Sequence, residues 1–199
     1  MPTGVAIRDP RGQLFDGAER VLLRDGPAAL TSRAVTAEAG VAKGVLHRHF
    51  ADFDAFLAEL ALDRIAVIGR QAADLRAAAG TGSVAGNLAA ALSELFSPAV
   101  LALARLVIAR DELRTRLRAA TGSRLPLLSE ATAMVSGYLA AERDLGRIAA
   151  DADVPTLAPM LMASVHLLFT DTDGTPDGDA VARVVSAALA SAAPDPASR

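Results

Sequence analysis

The chain has 199 residues, of which 52% are apolar and only 4% aromatic, with no cysteine, no tryptophan and a formal charge of −3. The lack of cysteine excludes disulfides, thiolate metal sites and cysteine nucleophiles, and fits a reducing compartment. The net charge announces no polyanionic partner, so any nucleic-acid surface must be local.

The apolar residues are mostly Ala, Leu and Val. The first two lead the helix-propensity scale, which predicts an all-α protein. Met1 to Pro10 lacks the apolar core of a signal peptide. Leu14, Phe15, Ala18, Val21 and Leu22 recur at helical spacing and predict an amphipathic helix over 11–25. Asp25-Gly26-Pro27 stops it. Thr31 is a good N-cap for a short second helix running to about Ala39. Gly40 then interrupts, where the backbone needs positive φ, and a third short helix is expected over 42–49.

Asp52 can cap a long helix over 52–79, with Asp54 in its first turn at the positive end of the helix dipole. Gly80-Thr81-Gly82-Ser83 reads as a loop. Helices are predicted over 84–96, 98–119, 124–145, 154–170 and 178–192, with no repeat and no convincing strand. The tail 194–199 is expected to be disordered. The longest apolar runs are interrupted by Arg105, and by Pro159 and His166, and fall short of the ~20 residues that span a bilayer. A soluble, cytoplasmic protein with no membrane partner is expected.

The segment TSRAVTAEAGVAKGVLHRHF, residues 31–50, holds the only lysine and two of the three histidines. Arg33, Lys43 and Arg48 face the single acid Glu38, so the segment is locally cationic. Two short helices joined at Ala39-Gly40-Val41 have helix-turn-helix spacing. Val35, Val41, Leu46 and Phe50 are the predicted core, and Ala39 is small enough for two helix axes to approach closely. On the third helix Ala42, Leu46, His49 and Phe50 share one face, and Lys43, Gly44, His47 and Arg48 another. With the apolar face inward, the second face presents donors that a B-DNA major groove can receive.

With Thr31, Arg33, Val35, Ala39-Gly40-Val41, Gly44, Leu46, His49 and Phe50 ahead of a capped acidic helix, the segment resembles the DNA-binding domain of the TetR (tetracycline repressor) family. The resemblance covers residues 11 to about 60. It implies an N-terminal helix-turn-helix domain over 1–54 and a helical ligand-binding and dimerisation domain over 55–193. It also implies a homodimer whose DNA affinity is lost when a small molecule binds. The DNA-binding candidates are Thr31, Arg33, Lys43, Gly44, Val45, His47, Arg48 and His49. Thr31 also reads as an N-cap alone, and His49 as a half-buried packing residue.

Four positions depart from the family pattern. Ala42 replaces a capping Ser or Thr, at a typical cost of ~1 kcal/mol. Val45 replaces a threonine and offers only an apolar contact, such as to a thymine methyl. His47 replaces a tyrosine and can still donate, and Phe53 replaces a lysine. Fewer cationic contacts imply weaker and less salt-sensitive DNA binding.

The larger domain offers pocket candidates in Thr132, Ser136, Tyr138, Met162 and His166. The first three read equally as helix residues with local hydrogen bonds, and His166 as a core or dimer-interface histidine. Asp111-Glu112 with Arg114, Arg116 and Arg118 reads as a salt-bridged face. Asp151, Asp153 and TDTDGTPDGD fail the spacing of a calcium loop, so neither metal nor cofactor is expected. No nucleophile–base pair, metal-ligand spacing or phosphate-cradling loop suggests an enzyme.

Apolar stripes on 154–170 (Leu157, Leu161, Val165, Leu168, Phe169) and 178–192 (Val181, Val184, Val185, Ala188, Leu189, Ala192) predict a two-fold dimer through these helices. Pro159 lies early enough to bend its helix rather than break it. The reading is a dimeric repressor released from a near-palindromic operator by a small apolar effector. Its rival is a helical protein-interaction module whose helix-turn-helix only packs.

Overall fold

In a computed structural model, residues 9–170, 176 and 178–192 are described. The tail 194–199 and most of TDTDGTPDG lie outside them. The described residues form ten α-helices: α1 (Pro10–Asp25), α2 (Ser32–Glu38), α3 (Gly44–His49), α4 (Phe53–Ala77), α5 (Val84–Leu95), α6 (Pro98–Ala109), α7 (Asp111–Thr121), α8 (Pro126–Asp144), α9 (Val154–Thr170) and α10 (Gly178–Leu189). No single helix among them is long and apolar enough to cross a membrane.

The contacts divide the chain into two compact units, one of residues up to Asp63 with Pro98–Arg124, the other of Arg64–Ser97 with Leu125 onward. In the first, α1 packs on α2 and α6, burying Leu14, Ala18, Val21, Val35, Leu46, Phe56, Leu57, Leu103, Leu106 and Leu113. In the second, α10 packs on α5 and α9, and α8 on α9. Its core includes Leu88, Leu92, Val135, Leu139, Leu161, Val165, Val181 and Val185.

Local chemistry explains most boundaries. Asp9 caps α1 by accepting from the Gly12 amide at 2.9 Å. Asp52 caps α4 through the Ala55 amide at 2.7 Å, and Ser83 caps α5 through that of Gly86 at 3.0 Å. Pro126 stands at the start of α8, where its missing N–H costs nothing. Pro159 leaves α9 a single helix.

The helix expected over 98–119 is two helices. Arg110 has extended backbone (φ −120°, ψ 107°) between α6 and α7. Its guanidinium pairs with Asp54 of α4 at 2.8 Å and lies 5.9 Å from the centre of the Phe53 ring. Asp111 and Glu112 then occupy the first turn of α7, where acids favour a helix start. An unbroken apolar period concealed this break, because its anchor lies more than fifty residues earlier.

Candidate nucleic-acid interface

The turn between α2 and α3 is built by hydrogen bonds. Thr31 Oγ1 accepts from the Ala34 amide at 3.1 Å, closing the start of α2. At its other end, Gly40 adopts φ +67°. Its amide donates to Ala37 O at 3.1 Å, and that of Val41 to Thr36 O at 3.0 Å. These are the two bonds of a Schellman motif, which needs a left-handed residue and so favours glycine. Gly17 of α1 supports the turn from behind: a β-carbon there would meet Ala39 Cβ at 3.1 Å and Val35 O at 3.2 Å. The close approach that Ala39 permits is therefore with α1.

Leu46 and Phe50 are buried and hold α3 against the unit. Phe50 meets Phe56 edge-on at 5.0 Å and lies 5.9 Å from Phe15. Arg11 covers its ring at 4.7 Å. Phe53 stacks on Phe56 at 5.6 Å, so the side chain replacing the family's lysine extends this aromatic cluster. Two expectations are corrected. Val41 is half-buried rather than core, because it lies in the turn. Ala42 is exposed and off the apolar face, because α3 begins only at Gly44.

The outer face of α3 carries Lys43, Gly44, His47 and Arg48, all exposed, with Val45 and His49 half-buried beside them. Thr31 and Arg33 are exposed on α2. No side chain caps α3, as the alanine at 42 implies. A β-carbon at Gly44 would meet nothing within 4 Å. Among the described residues Arg33, Lys43, His47 and Arg48 make no ion pair or side-chain hydrogen bond. Glu38, by contrast, receives Arg20 Nε at 2.8 Å and Arg24 Nη1 at 2.7 Å. The Arg24 guanidinium, then that of Arg20, holds its carboxyl below the usual range. Sequence reasoning left these two arginines out, since only the fold brings 20, 24 and 38 together.

The pocket candidates are scattered. Thr132 bonds back to Leu128 O at 2.8 Å within α8, and Ser136 is half-buried on that helix. Met162 is a core residue. His166 is exposed, its ring 5.7 Å from that of Phe96, so the reading of a core histidine gives way.

Tyr138 is fully buried, and its hydroxyl accepts from Asn87 Nδ2 at 3.0 Å. Burial first, and then its hydrogen bond to the Glu142 carboxylate, push the phenol up to about 12. Glu142, also fully buried, pairs with Arg147 at 3.2 Å and accepts from the Gly80 amide at 3.3 Å. Arg147 in turn donates to Gly82 O at 2.6 Å, so this network clamps the loop after α4. The folded phenol's raised pKa gives stability that is fully present below the ordinary tyrosine pKa of ~10. That stability is lost as pH rises through about 12. Tyr138 is the only tyrosine, so tyrosinate absorbance follows it alone. Its ionisation should be delayed to about pH 12 and coincide with loss of helicity; titration near 10 in folded protein would contradict the buried hydroxyl.

A helix held by its apolar back, with cations on its solvent side that have no partner among the described residues, has the geometry of a helix-turn-helix module. Residues 14–60 match the family described as bacterial regulatory proteins, tetR family. The match covers the amino-terminal helix-turn-helix segment, which is similar to that of the family's transcription regulators. No curated protein matches, but many solved structures do. A member of the TetR family from Streptomyces coelicolor A3 is 26% identical with a TM-score of 0.58, over 91% of this chain and 98% of that one. A TetR-family regulator from Agrobacterium tumefaciens is 13% identical with a TM-score of 0.69, over 92% and 97%. The regulator FadR from Bacillus subtilis in complex with stearoyl-CoA is 18% identical with a TM-score of 0.63, over 89% and 97%.

Proposed function

We propose that the chain is a cytoplasmic, dimeric repressor that reads a near-palindromic operator with α3 and releases it when a small apolar effector binds. The observation that carries this is the outward cluster of Lys43, His47 and Arg48, without intramolecular partners among the described residues and beside the open position 44. Lys43 and Arg48 contact base edges or phosphates, Arg33 and Thr31 the backbone, and His47 and His49 donate nearby. Val45 packs on a thymine methyl. The functional division falls near residue 54, with 55–193 holding effector and dimer contacts, although 98–124 cluster with the amino-terminal residues.

Dimerisation uses α9 and α10. Most of the stripes expected to need a second copy, Leu157, Leu161, Val165, Phe169, Val181 and Val185, are buried within the chain itself. That leaves Met160 and Leu167 of α9, 57% and 65% exposed, as apolar area that a second copy can cover. Two reading heads then sit about one DNA turn apart, ~34–36 Å, or a multiple of it. A fold neighbour held with stearoyl-CoA supports an effector with an apolar body. The effector acts by binding the DNA-competent and released states with different affinity, through movement of α4. Thr132, Ser136, Tyr138, Met162 and His166 remain candidates for its surroundings.

A gel shift on the duplex flanking the chain's own coding region tests this reading. Retardation at low salt without effector is expected, and no binding to any such duplex would favour the interaction module. Gly44 provides a sharper test. Glycine costs a helix up to about 1 kcal/mol against alanine, and the open space at 44 gives it no internal purpose. Gly44→Ala should keep or raise helicity while weakening DNA binding about tenfold, because the added carbon obstructs close backbone approach. Undiminished affinity would remove Gly44 from the interface.

A further inference from the structure

Resting on the DNA-binding reading, we propose that Arg20 and Arg24 are positioning residues that mask the negative charge of Glu38 from DNA. Glu38 is the only acid between 31 and 50, and it ends α2. From there to Thr31 is about one helix of 1.5 Å per residue, roughly a Debye length at physiological salt. An open carboxylate at that range repels the phosphates that the neighbouring cations attract. The fold closes it. Gly17 sets α1 hard against Ala39, and the next two turns of α1 deliver Arg20 and Arg24 onto the carboxylate, one to each oxygen. Arg20 also donates to the Glu38 carbonyl at 3.2 Å. Arg24 is shared with Asp25 at 2.9 Å, so two guanidiniums balance two carboxylates. The cluster is electrically quiet, and within residues 31–50 the uncompensated charge is that of Arg33, Lys43 and Arg48.

This assigns the two arginines a role that needs no phosphate contact, and that role is separable from direct contact and from support of the fold. The experiment measures binding of the chain's own flanking duplex by wild type, R20A/R24A, R20A/R24A/E38Q and E38Q. The arginine side chains are 52% and 58% exposed, and exposed ion pairs add little stability, so circular dichroism should find all four folded. Unmasking Glu38 in R20A/R24A should weaken binding about tenfold at low salt, with the loss shrinking as salt screens it. Adding E38Q should restore affinity to within about threefold of wild type, and E38Q alone should bind at least as well as wild type. If the triple variant stays as weak as the double, or if E38Q alone weakens binding, masking is overturned. Wild-type affinity in R20A/R24A overturns it too. A wild type that binds no duplex sinks the DNA-binding reading and the masking with it, an outcome distinct from bound variants that fail to differ.

Discussion

Replacing Lys43 and Arg48 together by alanine should reduce operator binding by at least about a hundredfold. Each well-placed cationic contact to a base edge or phosphate contributes ~1–3 kcal/mol, and two are lost. The fold has no stake in either side chain: both are exposed, and neither holds a partner among the described residues. Helicity, melting temperature and oligomeric mass should therefore match wild type. Fluorescence anisotropy across a salt series provides a second measure. The wild-type plot of log K against log salt should be shallower than −10, because Val45 and Phe53 can offer phosphates no donor or cation, and the double variant should be shallower still. Equal affinity of variant and wild type would mean that DNA, if bound at all, meets another face.

The second large effect is on stability. Arg147→Ala leaves Glu142 fully buried with only the Gly80 amide and the Tyr138 hydroxyl to answer its charge. Removing one partner of a buried ion pair costs ~3–5 kcal/mol, and the lower end applies because Arg147 itself is 26% exposed. That is a large share of the ~5–15 kcal/mol that holds a protein folded. A fall in the urea midpoint at pH 7, partly recovered by adding Glu142→Gln, is expected. An unchanged midpoint would show that solvent reaches the carboxylate.

The two effects also mark what was legible in the chain beforehand. Thr31, Gly40, Leu46 and Phe50 announced the helix-turn-helix because each acts within a few residues of itself, through a cap, a positive φ or an i, i+4 face. Asp52 was equally plain as a cap. Glu142 was not, because its partners at 80 and 147 meet only when the loop after α4 folds back on α8. Glu38 looked like an ordinary surface acid until α1 was placed across it. The break at Arg110 was hidden for the same reason, its cause being Asp54. Ala42 misled in the other direction: a helical period was carried two residues beyond the point where the helix begins. Local chemistry shows in sequence, and long-range electrostatics does not.

Six residues without an end-cap are too few to be a stable helix on their own. The helix proposed to meet DNA therefore borrows its shape from the ring cluster of Phe15, Phe50, Phe53 and Phe56 behind it. On the proposed reading, changes among these buried and half-buried phenyl groups would blur which base sequence is chosen without altering one atom at the contact, so operator preference would be partly written behind the reading helix.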